Sequence, residues 1–107
     1  MMNSEVFSVS NRKVFEIRLC RAKDNISTEL DNETVILDIS SGIYSGLDPI
    51  GTFIWNQLEH AVTVAALRDA ILERYDVTEE RCVADLFIFL EDLADNGLIR
   101  LENEKVG

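Results

Sequence analysis

The segment ISTELDNETVILDISSGIYSGLDPIGTFIW, which runs from Ile26 to Trp55, places two turn signals between three short runs rich in apolar residues, and then enters a helix almost without a linker. Asp31-Asn32 suits a two-residue turn, because Asp and Asn both tolerate positive φ. The glycine of Ser40-Ser41-Gly42 suits the left-handed position that closes a three-residue loop. The segment therefore predicts a three-stranded antiparallel meander. Its last strand, Ile43–Leu47, is an edge unless another part of the chain covers it.

The two turns predict a register for the meander. The first pairs Leu30 with Glu33, Thr28 with Val35, and Ile26 with Leu37, while the second pairs Ile39 with Ile43, Leu37 with Ser45, and Val35 with Leu47. Directly opposed residues share a face of a sheet. The turns thus predict one apolar face made of Ile26, Leu30, Val35, Leu37, Ile39, Ile43 and Leu47.

Strong start signals predict three helices after the meander. Asp48 is suited to an N-cap with Pro49 as the first helical residue, and Thr63 and Thr78 are suited to cap the next two helices. Asn96-Gly97 predicts a left-handed end to the third helix. Upstream, Phe15, Ile17 and Leu19 alternate with polar residues and predict a half-buried strand, and LIRLE near the end suggests a short final strand. This order predicts an α+β, winged-helix-like fold with a three-stranded antiparallel sheet followed by three helices.

The third predicted helix carries an apolar arc wider than a single core contact requires. Its core stripe is Val83, Leu86, Phe87, Leu90 and Ala94, and at 100° per residue the arc extends to one side over Cys82, Phe89 and Leu93. Phe89 and Leu93 either pack under the sheet or the N-terminal segment, or line an apolar groove beside the edge strand. Both interpretations stay open at this point. A groove beside a free edge is the arrangement that strand addition of a peptide needs.

Composition narrows the classes of function. The formal net charge of -10 opposes binding to a phosphate backbone, so we expect no nucleic acid partner. No run of about 18 apolar residues predicts a membrane span, the N-terminus lacks the form of a signal peptide, and we expect a cytoplasmic protein. Cys20 and Cys82 are expected to be buried thiols, with one disulfide as the alternative. His60 is the only histidine, and no phosphate-binding loop or nucleophile motif is present. We therefore expect neither an enzyme nor a cofactor or metal.

The stretches DNETVILDISSGIYSGLDPIGTFIWNQL and TVAALRDAILERYDVTEERCVADLFIFLEDLADNGLI resemble the PqqD-like proteins, the recognition elements for precursors of ribosomally made, modified peptides. The first resembles that family's strand–turn–strand ending in Leu-Asn/Asp-Pro-x-Gly and its Ile-Trp helix. The second resembles its two following helices. The resemblance covers about Asp31 to Leu101 of a single domain over residues 1–107. Residues 1–23 form an N-terminal extension that matches poorly.

The resemblance implies a non-catalytic chaperone that binds the leader of a precursor peptide. The leader would add as a strand to the third strand and lie against the third helix. The precursor would then be presented to a modifying enzyme, such as a radical SAM maturase or a leader peptidase. The peptide-binding residues expected on this basis, combined with the geometry of the third helix, are Gly42, Ile43, Tyr44, Ser45, Gly46, Leu47, Cys82, Asp85, Leu86, Phe89 and Leu93. The alternatives are a winged-helix DNA-binding regulator and a homodimeric structural module joined through Phe89 and the sheet edge.

Overall fold

A computed structural model describes residues 6–8 and 10–102. The strands are β1 (Arg18–Arg21), β2 (Asn25–Leu30), β3 (Glu33–Asp38), β4 (Ile43–Leu47), β5 (Val62–Thr63) and β6 (Ile99–Leu101), and the helices are α1 (Pro49–Gln57), α2 (Val64–Arg74) and α3 (Glu79–Asp95). Strands β2, β3 and β4 form one antiparallel sheet in that order, and a second antiparallel sheet has the order β5-β1-β6. The α+β class, the meander and the three helices are confirmed.

The N-terminal strand begins later than predicted, and of Phe15, Ile17 and Leu19 only Leu19 lies in it. Val14–Glu16 form a turn of 3-10 helix, and the strand that follows is Arg18–Arg21. Phe15 packs its ring against Phe87 of α3 with centroids 5.8 Å apart, so its apolar side chain reflects a helix contact and not strand alternation. The short second sheet, in which β1 pairs with both β5 and β6, was not predicted as a sheet, although the strand at LIRLE was.

The first predicted turn is confirmed in position and conformation. Asp31 and Asn32 both have positive φ, 56° and 66°, as a two-residue hairpin turn matched to strand twist requires. The register follows the prediction, since Leu30 lies opposite Glu33 and Ile26 lies opposite Leu37.

The second turn is one residue longer than predicted. Asp38, not Ile39, lies opposite Ile43, so the loop contains four residues. Asp38 holds this loop together: its Oδ1 accepts from the backbone N–H of Ser40 at 3.2 Å, and its carbonyl accepts from the N–H of Gly42 at 2.7 Å. Hydrogen bonds from Ser40 and Ser41 also lower the pKa of Asp38. Because side chains alternate along a strand, this one-residue shift moves Ile43 and Leu47 to the other face of the sheet.

The apolar face of the meander is turned away from the helices. We call it the outer face and define it by its lining residues, which are Ile26, Thr28, Leu30, Glu33, Val35, Leu37 and Tyr44. Antiparallel sheets ordinarily pack their apolar face on the core. Here the exposed fractions of Ile26, Leu30 and Tyr44 are 57%, 74% and 69%. The outer face is therefore available to something outside the described chain.

The opposite, inner face attaches the meander to α1 through a mixture of apolar and polar contacts. Ile36 is fully buried in the core. The hydroxyls of Thr34 and Thr52, both buried, lie 2.8 Å apart, and Trp55 Nε1 donates to Ser27 Oγ at 3.0 Å. Hydrogen bonds make this polar face compatible with burial.

The Thr34–Thr52 hydroxyl pair predicts a non-additive stability effect. Replacing Thr34 with Val leaves the buried hydroxyl of Thr52 without this partner, and we expect a loss of about 1–3 kcal/mol in the free energy of unfolding. Replacing both residues with Val removes donor and acceptor together while keeping the shape, and we expect a smaller loss than for either single variant. Urea denaturation of the two single variants and the double variant tests this, and strictly additive losses would contradict it.

The three helices begin as predicted. The side chains of Asp48, Thr63 and Thr78 accept hydrogen bonds from the N–H groups of Gly51, Ala66 and Arg81, and α3 is followed by Gly97 with φ of 71°. The core lies between α1, α2, α3 and both sheets, with Leu19, Leu67 and Leu90 among its fully buried side chains. Cys20 and Cys82 are free and buried, which confirms two thiols. None of the described helices is long and apolar enough to span a bilayer.

Candidate functional site

Strand β4 exposes one edge of its backbone. The N–H of Ile39 donates to the carbonyl of Asp24 on the β2 side at 2.9 Å. Because backbone groups alternate along a strand, the even-numbered residues of β3 must then direct their N–H and C=O groups to β4. Ser45 lies opposite Ile36 and therefore directs its backbone groups to β3. Its neighbours Tyr44 and Gly46 direct their N–H and C=O groups to the other side of β4, away from β3. Among the described strands, β4 has no neighbour on that side.

An open apolar pocket of about 260 Å³ begins where β4 ends. Its lining comes from the first turns of α1, the end of α2 and one side of α3: Asp48, Ile50, Gly51, Ile54, Ile71, Tyr75, Val77, Arg81, Cys82, Asp85, Leu86 and Phe89. A methyl group on Gly51 would lie 3.1 Å from Phe89 Cε1 and 3.3 Å from Leu47 Cβ. The end of β4 and Phe89 therefore both lie against the start of α1, and the pocket begins at Asp48, the residue that follows β4.

Charged groups lie only at the mouth of the pocket. Arg81 Nε lies 3.1 Å from Asp85 Oδ2 in an exposed ion pair, and Asp48 Oδ1 accepts from the N–H of Gly51 at 2.8 Å. Both carboxylates already have partners, and an exposed pair of this kind contributes little stability. The interior of the pocket is thus suited to an apolar side chain, and its mouth to a polar or charged neighbour of that side chain.

The structure brings together most of the residues expected at the site. Cys82, Asp85, Leu86 and Phe89 all line the pocket. Leu93 is not among the lining residues, and its side chain packs in the core with 2% of its surface exposed. We therefore leave Leu93 out of the proposed surface.

The β4 residues divide between two faces. Tyr44 and Gly46 belong to the outer face by register, whereas Ser45 and Leu47 lie on the inner face beside Ile36 and Thr34. Gly42 lies in the loop before the strand, with φ of 74°. A strand paired to β4 would have alternate side chains on each of these faces.

The walls of the pocket from α1 and α2 were not foreseen. Ile50 and Val77 are exposed at its rim, and Ile54, Ile71 and Tyr75 line it more deeply. The helical spacing of Ile54 and Ile71 indicates core packing equally well, so periodicity could not find them. The Asp48-Pro49 junction was the one usable signal, since it puts the first turn of α1 directly after the edge strand.

The thiol that lines the pocket is not an activated nucleophile. Burial raises the pKa of the Cys82 thiol, which keeps it protonated and a poor nucleophile, and that thiol donates a weak hydrogen bond to the carbonyl of Arg68. Within the described residues, no group of three or more His, Cys, Asp or Glu side chains could hold a metal ion. The residues that meet here can contact a peptide backbone and an apolar side chain.

Comparison with known proteins gives a family and two similar solved structures. One structure, described as "TbiB1 in Complex with the TbiA(beta) Leader Peptide", is 33% identical with a TM-score of 0.71, and the match covers 81% of this chain and 99% of that chain. A second, "Lasso peptide synthetase B1 complexed with the leader peptide", is 21% identical with a TM-score of 0.67 and coverage of 77% and 96%, and it shows a shared fold. No curated protein gives a significant match. Residues 33–99, more than half of the chain, match the family model for coenzyme PQQ synthesis protein D, PqqD. The chain therefore belongs to the PqqD family.

Proposed function

We propose that this protein is a non-catalytic chaperone that binds the leader of a ribosomally made precursor peptide and presents the precursor to a modifying enzyme. The observation that carries the proposal is the free edge of β4, which ends beside the apolar pocket at the start of α1. The leader adds as a fourth strand to the meander, and its side chains that face the helices enter the pocket.

The site has the two features that strand addition of a peptide requires, which are free backbone hydrogen-bonding groups and a pocket for side chains. Tyr44 and Gly46 offer the backbone donors and acceptors that give affinity, and the pocket gives selectivity for one or more apolar side chains. A Cβ at Gly46 would meet no atom within 4 Å, so the outer-face side of the strand is unobstructed there. Among the described strands, none has to be displaced for a peptide to pair with β4.

Similarity to TbiB1 supports the same function. That protein is 33% identical over most of this chain, and its structure was determined with a leader peptide. The acidic surface of α3 opposes the DNA-binding alternative, since Glu79, Glu80 and Asp92 are all exposed on it. The modifying enzyme that receives the precursor is part of the proposal, and the resemblance implies a maturase or a leader peptidase in that role.

The proposal is tested by titrating the isotopically labelled protein with the leader of a precursor encoded near its gene. We expect amide shifts confined largely to the β4 edge, Gly42–Leu47, and to the pocket side of α3. A titration that leaves these amides unmoved at millimolar peptide would refute leader binding at this site.

Two adjacent residues of α3 provide a matched test of the pocket. Phe89 lines the pocket, whereas Ile88 points away from it and is 67% exposed. We expect Phe89→Ala to weaken leader binding about tenfold, because truncating a buried aromatic contact at an interface costs more than 1 kcal/mol. Ile88→Ala should leave the Kd within twofold. Isothermal titration calorimetry measures both, and equal Kd values for the two variants would count against a pocket contact.

A further inference from the structure

The outer face of the meander is a second apolar surface, separate from the pocket. It encloses an open depression of about 460 Å³ whose only charged lining residue is Glu33. Its apolar side chains are not part of the core of the described residues, because the meander packs on α1 through its inner face, where Ile36 is buried, Thr34 bonds Thr52 and Ser27 bonds Trp55. Contiguous exposed apolar surface of this kind marks an interaction site.

We propose that the outer face is the docking surface for the modifying enzyme, and that the enzyme presents an apolar patch bordered by Lys or Arg. This inference rests on the proposed function. The charge of the meander selects this occupant: from Asp24 to Asp48 the sequence has six acidic residues and no Lys or Arg. A surface of one sign attracts a partner of the opposite sign and repels its like.

The same charges disfavour a second copy of this chain as the occupant. Two outer faces packed together would place two such acidic segments within a few ångströms, with no basic residue in either segment to compensate. Each copy also has a formal net charge of -10, so association of like copies is opposed at low ionic strength. An enzyme with a basic border meets no such repulsion.

The outer face is continuous with the edge that would receive the leader. Tyr44 belongs to both, since its side chain lies on the outer face opposite Leu37 while its backbone is directed to the free edge. A leader strand paired to β4 would place alternate side chains on the outer face next to Tyr44. The loaded protein therefore presents a larger apolar surface than the free protein, and the enzyme should bind the loaded form more tightly.

The experiment uses the modifying enzyme encoded beside this protein and measures its affinity for the full chain by biolayer interferometry, with and without saturating leader. The double variant Ile26→Thr/Leu30→Thr removes apolar groups that are exposed, and Thr keeps the strand preference. Ile88→Thr makes the same chemical change as Ile26→Thr at a similarly exposed position on α3. Val35→Thr, the most conservative change on the outer face, serves as a second variant.

We expect the double variant to bind the enzyme at least tenfold more weakly and the leader within twofold of wild type. Val35→Thr should weaken enzyme binding about threefold, Ile88→Thr should leave it unchanged, and 0.5 M salt should weaken wild-type binding. Enzyme affinity that is the same in wild type and the double variant would overturn the docking surface, as would an enzyme that binds neither.

Sedimentation velocity tests the alternative that a second copy of this chain covers the outer face. A wild-type dimer that the double variant converts to monomer would assign the outer face to a second copy and overturn the proposal. Failure of leader binding is a distinct result: a wild-type protein that binds the enzyme through the outer face but binds no leader refutes the proposed function and not the docking surface.

Discussion

Replacing Gly46 with proline should reduce leader affinity at least thirtyfold, while replacing it with alanine should change the affinity less than threefold. Proline removes the N–H that Gly46 directs to the free edge, and its ring occupies the space that a paired strand would enter. The lost hydrogen bond leaves a carbonyl of the buried leader without a partner, and such a loss costs about 1–3 kcal/mol before the steric effect is added.

Gly46→Ala is the matched control because it changes the side chain and keeps the donor. A methyl group at this position meets no atom within 4 Å. Proline is tolerated where a strand's N–H faces solvent, so the fold of Gly46→Pro should be intact, and its thermal unfolding midpoint should stay within a few degrees of wild type. Calorimetric titration of leader peptide into both variants measures the two Kd values. If Gly46→Pro and Gly46→Ala both bind the leader with a Kd near that of wild type, pairing at β4 is ruled out.

The turns and caps could be predicted from sequence because each depends on a few adjacent residues. Asp31 and Asn32 both tolerate positive φ, which favours a two-residue hairpin turn. Asp48-Pro49 combines two independent preferences for the start of a helix. The residues alone left open whether α3 lines a groove beside the free edge, and the resemblance implied that it does. The pocket walls supplied by α2 could not be predicted from the sequence, because their residues have the same helical spacing as core residues.

The face of the meander shows where local reasoning fails. The prediction identified the apolar residues of β2 and β3 as one face correctly, and the register at Asp31-Asn32 is as predicted. It could not tell that Asp38 would bind Ser40 and lengthen the second loop by one residue, which exchanged the faces of β4. Nor does alternation reveal which face meets the helices. Ser27 and Thr34 face α1 because Trp55 and Thr52 provide their hydrogen bonds.

Trp55 should have a larger effect on stability than any other side chain of the core. Its side chain is only 1% exposed, its Nε1 donates to Ser27 on β2, and Arg21 on β1 places its guanidinium 4.5 Å from the ring centre. The one residue thus connects α1 to both sheets. We expect Trp55→Ala to lower the free energy of unfolding by about 3–5 kcal/mol, the usual range for removing a buried aromatic side chain.

A graded series separates the packing of Trp55 from its hydrogen bond. Trp55→Phe keeps much of the buried ring and removes the indole donor, and we expect a smaller loss of about 1–3 kcal/mol. Ser27→Ala should be costly in the wild type, where it leaves a buried N–H without its acceptor, and nearly neutral in the Trp55→Phe background, where no donor remains. Circular dichroism must follow the denaturation, because Trp55 is the only tryptophan. If Ser27→Ala costs the same in both backgrounds, the hydrogen bond does not fasten β2 to α1, and the attachment that positions the β4 edge would have to come from Ile36 and the Thr34–Thr52 pair.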